Sequence, residues 1–410
     1  MTPVVRTLLS SLLLTGLTMP SLAWQAGFED VIRNLRNPDP KARLSAVRML
    51  RESQHTAAAI PVAAVVNDPI DEIQLEAIAA ELSFFLVQEV SLRKRVGLVV
   101  EVRSKGQAVQ AFELGPLAAW PRPVPPEVVD ALLKAVDDEN PRVRIEAIYA
   151  LGAVARPPLT DGASERLIKT LDHYDPAIRA AAARVAGRLD VKRAGDTLIN
   201  AINDSSPAVR FAAMRAVGDI RDERAVQALM EQLKFYGKGD GGWSALDALA
   251  RIAHPSSAPL FKARISDKDP FMRRAAAEGL ARIGDASEAP AIQTAATSES
   301  SETVRAAMTF AMVKFGQNYM ARLIDFFGSD RTALQVQEYL LEIGPSVLPE
   351  LTPKLKEPVA GVRAGVVEII GALGQSDSIP VLEPLTRDRD RGVAETAVVA
   401  IERIKMRQSQ

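Results

Sequence analysis

Three histidines, His55, His173 and His254, are the only imidazoles in this 410-residue chain, which has no cysteine. A helix that holds a metal presents two ligands at a fixed spacing on one face. None of the three histidines is followed by Glu, and no two are close enough in sequence to share a helix face. Without cysteine there is no disulfide, thiol nucleophile, Cys-ligated zinc or iron–sulfur cluster. The members of a Ser-His-Asp site need only meet in space, but the Gly-x-Ser-x-Gly elbow is absent. His173 lies in Leu171-Asp-His-Tyr-Asp175, a turn in which a capping role is expected. No catalytic residue, metal or cofactor is therefore expected, and the chain is read as a non-enzyme.

Two features invite a phosphate reading. Phe235-Tyr-Gly-Lys-Gly-Asp-Gly-Gly-Trp243 is glycine-rich and carries a lysine, but Gly-Lys-Ser/Thr is missing and a helix, not a strand, precedes it. A flexible turn with Tyr236 and Trp243 partly packed is the expectation, and both aromatics are secondary candidates for partner contact. The second feature is a row of arginines: Arg43, Arg144, Arg179, Arg210, Arg273, Arg305 and Arg363. The first six stand four residues after Asp39, Asn140, Asp175, Ser206, Asp269 and Ser301. That fixed place after a capping residue fits scaffolding better than phosphate binding. With 50 basic and 51 acidic side chains, a net charge of −1 offers no footprint for nucleic acid.

The elements that carry these residues repeat at about 31 residues. DPKARLSAVRML from Asp39, NPRVRIEAIYALG from Asn140, DPAIRAAAARVAG from Asp175 and SPAVRFAAMRAVG from Ser206 are four copies. Two more begin at Asp269 and Ser301, and looser ones surround Gln335, Arg363 and Ala394. A cap accepts the orphan N–H groups of a helix start, and proline beside it suits the first helical position. Val209, Ala213, Ala216, Val217 and Ile220 then form one apolar stripe, while Gly218 and its equivalents are read as relaxing the chain after the helix. A second amphipathic stretch precedes each cap. Each copy is a helical hairpin that needs its neighbours to bury both faces, so the product is an all-α right-handed solenoid of about ten hairpins. Ala, Val, Leu and Ile in thin seams account for an apolar share of 47% with only 5% aromatics.

D-P-x-V-R-x-x-A-x-x-A-L-G resembles the short HEAT repeat of the phycobilisome-lyase-like, or E-Z, type, over about 28–82 and 127–405. The resemblance implies an armadillo/HEAT-like superhelix whose second helices line the concave face. It also implies that the turn Asp and the repeat Arg link neighbouring repeats in a ladder. Deoxyhypusine hydroxylases of this class hold iron with His-Glu pairs, and this chain has none. Fold resemblance alone says little of function.

Residues 83–126 interrupt the period. Gly97-Leu-Val-Val-Glu-Val102 and Ala108-Val-Gln-Ala-Phe-Glu113 around Ser104-Lys-Gly-Gln107 suggest a short β-hairpin, and Trp120-Pro-Arg-Pro-Val-Pro-Pro126 a stiff connector. A degenerate repeat with a long loop is preferred here to a docking hairpin. Residues 1–23 read as a signal peptide, with Arg6 before an apolar stretch too short to span a bilayer and small residues before a cut near Trp24. The expected division is thus 1–23 signal, 24–82 N-terminal repeats, 83–126 insertion and 127–410 main array, in a periplasmic or secreted monomer. Helical spacing puts the positions one and five after the repeat Arg off the buried stripe. Tyr149, Phe211, Arg215, Arg274 and Glu278 are therefore expected on an open concave surface that binds a protein or peptide. Ile145 and Phe310 fall in the same class, Phe310 with packing against the next repeat preferred. A ligand carrier or enzyme of the lyase or hydroxylase kind, and an envelope-polysaccharide binder, are the alternatives.

Overall fold

The computed structural model describes residues 19–87 and 106–409, with side chains from Gly27 onward. The expected signal segment falls almost wholly outside these residues, as does the 97–102 half of the expected β-hairpin. The chain forms two compact units: 1–89 with 106–113 and 124–153, and 90–105 with 114–123 and 154–410. The second-helix pair that opens the expected main array at 127 therefore belongs to the first unit.

The first unit contains α1 (Met19–Asn34), α2 (Pro40–Ser53), α3 (Ala59–Ala63), α4 (Asp71–Phe85), α5 (Gln107–Glu113), α6 (Pro126–Ala135) and α7 (Pro141–Val154). The second begins with α8 (Asp161–Thr170), α9 (Pro176–Arg188), α10 (Gly195–Ala201), α11 (Pro207–Asp219), α12 (Val226–Tyr236) and α13 (Gly239–Ile252). It continues with α14 (Ala258–Arg264), α15 (Pro270–Ile283), α16 (Ala289–Thr297), α17 (Glu302–Lys314) and α18 (Met320–Asp325). It ends with α19 (Ala333–Ile343), α20 (Leu348–Leu351), α21 (Ala360–Leu373), α22 (Ile379–Leu382) and α23 (Arg391–Gln408). Successive helices pair as hairpins, and second helices pack on second helices: α9 on α11, α11 on α13, α13 on α15 and α15 on α17. Among the described residues the fold is an all-α solenoid with no strand.

The helix starts are set as their residues dictate. Asp39, Asn140, Asp175 and Asp269 each accept the N–H two residues on, with proline at the first helical position. Ser206 and Ser301 occupy the same place without a side-chain cap, so proline, or Glu302 in the last case, begins those helices unaided. Gly284 and Gly316 turn the chain after their helices as expected, with φ +79° and +78°, but other repeat glycines play a different part. Gly187, Gly218 and Gly371 lie inside the helices or at their last turns, where a Cβ would come within 2.8–2.9 Å of the backbone of Ala216, Ala248 and Ala400. They set the helix-to-helix distance.

The 108–113 segment is a helix, not a strand. Ala108, Ala111 and Phe112 fall on one face at the i, i+3, i+4 spacing and are buried, while Ala and Gln favour helix over strand. The connector is extended as expected, Pro125 having φ −54° and ψ 139°.

Candidate functional site

The repeat arginines are cross-links. Arg43 donates to both carboxylate oxygens of Asp68 at 2.7 and 3.0 Å, and Arg179 does the same to Asp204 at 2.9 and 2.8 Å. Arg273 and Glu299, and Arg363 and Asp388, repeat the fork. The remaining Nη1 of each arginine donates to the two carbonyls five and six residues upstream, such as those of Asn37 and Pro38 for Arg43. Each acid also accepts the N–H two residues on, as Asp204 does from Ser206. Bidentate, charge-assisted geometry fixes the turn of one repeat against the turn of the next. These guanidinium groups hold the carboxyls of Asp204, Glu299 and Asp388 below the usual range. Arg144 reaches the Asp138 carbonyl within its own turn. In α4 Gln74 takes the arginine's place and donates to Asp138 at 2.8 Å. Arg305 keeps its Nε buried without a partner.

At the glycine-rich turn the ladder runs through aromatic side chains. Gly242 stands four residues after the Lys238 cap, where other repeats have arginine. Arg210 finds no acid ahead and donates Nε to the Tyr236 hydroxyl at 2.6 Å. Tyr236 can reach it because its ring lies over Gly241, where a Cβ would meet Cγ at 2.3 Å. Gly237 and Gly239 both take φ +68°, which their lack of a side chain allows. Trp243 donates its indole N–H to Asp269 at 2.6 Å and stacks on Phe271 at 4.4 Å. The glycine-rich turn is thus the place where hydrogen bonds between a charged and an uncharged side chain replace an ion pair. Phe211 is half-buried with its edge toward Tyr236, and Phe235 beside them is 78% exposed.

On the second helices of the C-terminal unit a charged row crosses from repeat to repeat. Arg215 pairs with Asp219 at 3.1 Å, and Arg251 with Asp247 at 2.9 Å and Asp219 at 3.3 Å. Burial opposes the charge of Asp247, but Arg251, Arg215 and Arg274 outweigh it and hold its carboxyl well below the ordinary range. Farther along, Arg274 approaches Glu278 at 3.4 Å, and Arg282 meets Glu342 at 3.0 Å. The Tyr339 hydroxyl donates to Glu278 at 2.5 Å, and its ring stacks on Phe310 at 4.2 Å. Burial, followed by the Glu278 charge, pushes the Tyr339 phenol up.

The expected open surface is therefore only partly present. Arg215 is exposed and Arg274 and Phe211 are half-buried, but Glu278 is buried because α19 folds across α17 to reach α15. Phe310 is fully buried by the same packing. Asp219, Asp247, Arg251 and Glu342 belong to the row and were not singled out from the sequence. Their signal was there: Arg215/Asp219, Asp247/Arg251 and Arg274/Glu278/Arg282 are four residues apart on successive second helices.

Tyr149 is not open either. In the N-terminal unit α5 lies over α7: the Phe112 ring is 5.3 Å from that of Tyr149, and Glu146 accepts the Ala108 N–H at 2.9 Å. The half-buried Ile145 lies beside it on α7. Burial raises the Glu146 carboxyl, and the Ala108 amide partly offsets this. Glu81 on α4 is fully buried with neither oxygen hydrogen-bonded, and burial raises its carboxyl well above the usual range. It sits seven residues after Gln74, the slot filled by Leu151, Val217, Leu249 and Leu280 in other repeats.

The three histidines cap turns: His55, His173 and His254 accept the N–H two residues on at 3.3, 3.0 and 3.3 Å. Among the described residues no group of three or more acids and histidines could hold a metal. No helix among them is long and apolar enough to cross a membrane.

Family models for HEAT repeats match residues 128–156, 164–234 and 243–312. Among solved structures, an engineered protein is similar at 18% identity with a TM-score of 0.42, over 92% of this chain and 98% of its own. The complex of CpcE and CpcF of phycocyanin lyase from Nostoc is similar at 20% identity and a TM-score of 0.36, over 62% and 91%. Human deoxyhypusine hydroxylase is similar at 18% identity and a TM-score of 0.29, over 68% and 96%. No curated protein matches the chain. With the repeat read in the sequence, built in the fold and matched by these models, the chain carries HEAT repeats.

Proposed function

We propose that this HEAT solenoid is an exported, non-catalytic scaffold that binds a protein or peptide along the second helices of its C-terminal unit. The observation that carries the reading is the charged row. Arg215, Asp219, Asp247 and Arg251 are held in place by one another, and Arg215 keeps a side chain 49% exposed at its open end. Pre-organised guanidinium and carboxylate groups recognise a partner of opposite charge pattern at a low entropic cost. The aromatics once expected beside them are spent on packing, so specificity here rests on charge. Export is supported by the Arg6-led apolar stretch and the small residues before Trp24.

A photoreactive side chain at position 215 of the chain beginning at Trp24, mixed with envelope extract, tests the reading. A specific protein adduct at 215, weakened when Arg251 is changed to Ala, is the expected result. Equal labelling at 215 and at Tyr174, a residue 84% exposed on a turn, would remove the concave-face assignment. N-terminal sequencing of the secreted product, expected to begin at Trp24, tests export separately.

A further inference from the structure

Most arginines of the C-terminal unit face an acid. Several do not, and four of these are neighbours: Arg122, Arg156 and Arg403 around residues 117–122, with Arg407 one turn along α23. Arg403 on α23, only 6% exposed, donates Nη1 to the Ala119 carbonyl at 3.2 Å and Nη2 to that of Leu117 at 2.6 Å. Arg156, from the loop after α7, donates Nη2 to the next carbonyl, that of Trp120, at 2.7 Å. Arg122 lies 5.9 Å from the centroid of the Trp120 ring, and its Nε is buried with no hydrogen-bond partner. Arg407, one helical turn after Arg403, ends on the Ala372 and Gly374 carbonyls of α21. Among the described residues none of the four forms an ion pair.

Their charges act on each other. The Arg403 guanidinium is pulled down to about 10, chiefly by burial, with Glu368 opposing and Arg156 and Arg407 adding to the effect. It is still charged at neutral pH. Carbonyl dipoles satisfy N–H geometry but neutralise no charge, and among the described residues Glu368 is the acid that acts on Arg403. The hydrogen-bonding capacity is not used up: Arg403 and Arg156 each keep Nε, and Arg122 keeps its whole fork. Partly buried guanidinium groups with free donors are the usual receptors for tetrahedral oxyanions.

We propose that Arg122, Arg156 and Arg403 form a binding site for a phosphate group, free or as a monoester, against residues 117–120. The site is separate from the charged row, where every arginine already faces an acid. A doubly charged oxyanion offsets much of this positive charge and takes unused guanidinium donors of the three residues. Binding would also tie α23 to the loop after α7 through a common ligand.

Calorimetry on the full chain at constant ionic strength, with inorganic phosphate and glycerol 3-phosphate as separate titrants, tests this. Saturable binding at about millimolar concentration or below, with a concentration-dependent rise in Tm, is expected. Arg122→Gln, which touches no backbone carbonyl, should weaken binding about tenfold and leave the phosphate-free Tm unchanged. Arg156→Gln should weaken it similarly. Tighter binding of glycerol 3-phosphate than of phosphate points to an ester, and the reverse to the free anion. No heat and no Tm change at about 10 mM of either titrant would overturn the proposal, as would unaltered binding by both variants.

Discussion

The same repeat builds two kinds of seam. In the C-terminal unit, the residue eight after the ladder arginine is Gly187, Gly218 or Gly371, and it admits the backbone of the next second helix. The residue two after that arginine is equally small: Ala181, Ala212, Ala275, Ala307 or Gly365. In the N-terminal unit some of the corresponding places hold long polar side chains, although Ser45 and Gly152 remain small. Arg51 stands eight after Arg43 and donates to Glu76 at 2.7 Å and to Gln107 of α5 at 2.9 Å. Glu146 stands two after Arg144 and receives the first turn of α5. Gly and Ala at these positions let second helices pack directly, as α2 and α4 also do, whereas on α7 Glu146 receives the inserted α5. One repeat motif therefore yields a direct joint or a wedged one.

The strongest way to break that contrast is to fill a tight seam. Gly218→Leu drives a side chain into Ala248 and should cost about 3 kcal/mol or more in urea unfolding. Arg51→Leu at the equivalent place should cost about 1 kcal/mol or less, because only part-exposed polar contacts are lost. Equal losses would show that the two seams do not differ in the way described.

Removing a rung comes next. Asp204→Ala leaves Arg179 without its bidentate partner and should cost about 2 kcal/mol at neutral pH. The folded Asp204 carboxyl is depressed, so the rung is at full strength above about pH 4 and is lost as pH falls through the lower folded value. Mutant and parent should therefore converge in acid, and a difference that persisted below about pH 2 would not be ionic.

Glu81→Leu works in the opposite direction. Its carboxyl is raised by burial, so the folded state loses stability as pH rises from the unfolded value of about 4.3 toward the folded one. The variant should be more stable by about 1–3 kcal/mol at pH 7, and the ionic part of that gain should vanish below about pH 4. A loss of stability at pH 7 would mean that the carboxylate has a partner in solution. A small effect, about 1 kcal/mol, is expected for Tyr236→Phe, from the hydroxyl that Arg210 uses. A much larger loss would mark the aromatic rung as equal to the ionic ones.

The hairpins and the ladder could be read in the sequence because caps, proline and arginine recur with a fixed period. Each is a local signal. The open surface could not be read in the same way. Tyr149 has the right helical phase for exposure, and it is covered by Phe112 from an insertion outside the period. Glu278 has the same phase and is covered by Tyr339, 61 residues away. Periodicity within a helix says which face points away from its hairpin partner, but not what else will cover that face. The 108–113 strand reading failed because the β-favouring types Val109 and Phe112 were weighed above the helical spacing of Ala108, Ala111 and Phe112 in the same six residues.

The aromatic rung at Arg210, Tyr236, Trp243 and Asp269 changes how the array should come apart. Stacked repeats unfold as coupled neighbours, and the weakest coupling decides where a break begins. In acid the Arg179–Asp204, Arg273–Glu299 and Arg363–Asp388 couplings lose their charge, but the Arg210–Tyr236 bond does not depend on a carboxylate. Hydrogen exchange at low pH should find the turn from α12 to α13, held to α11 through Arg210 and Tyr236, protected after the turns of the flanking repeats have begun to exchange.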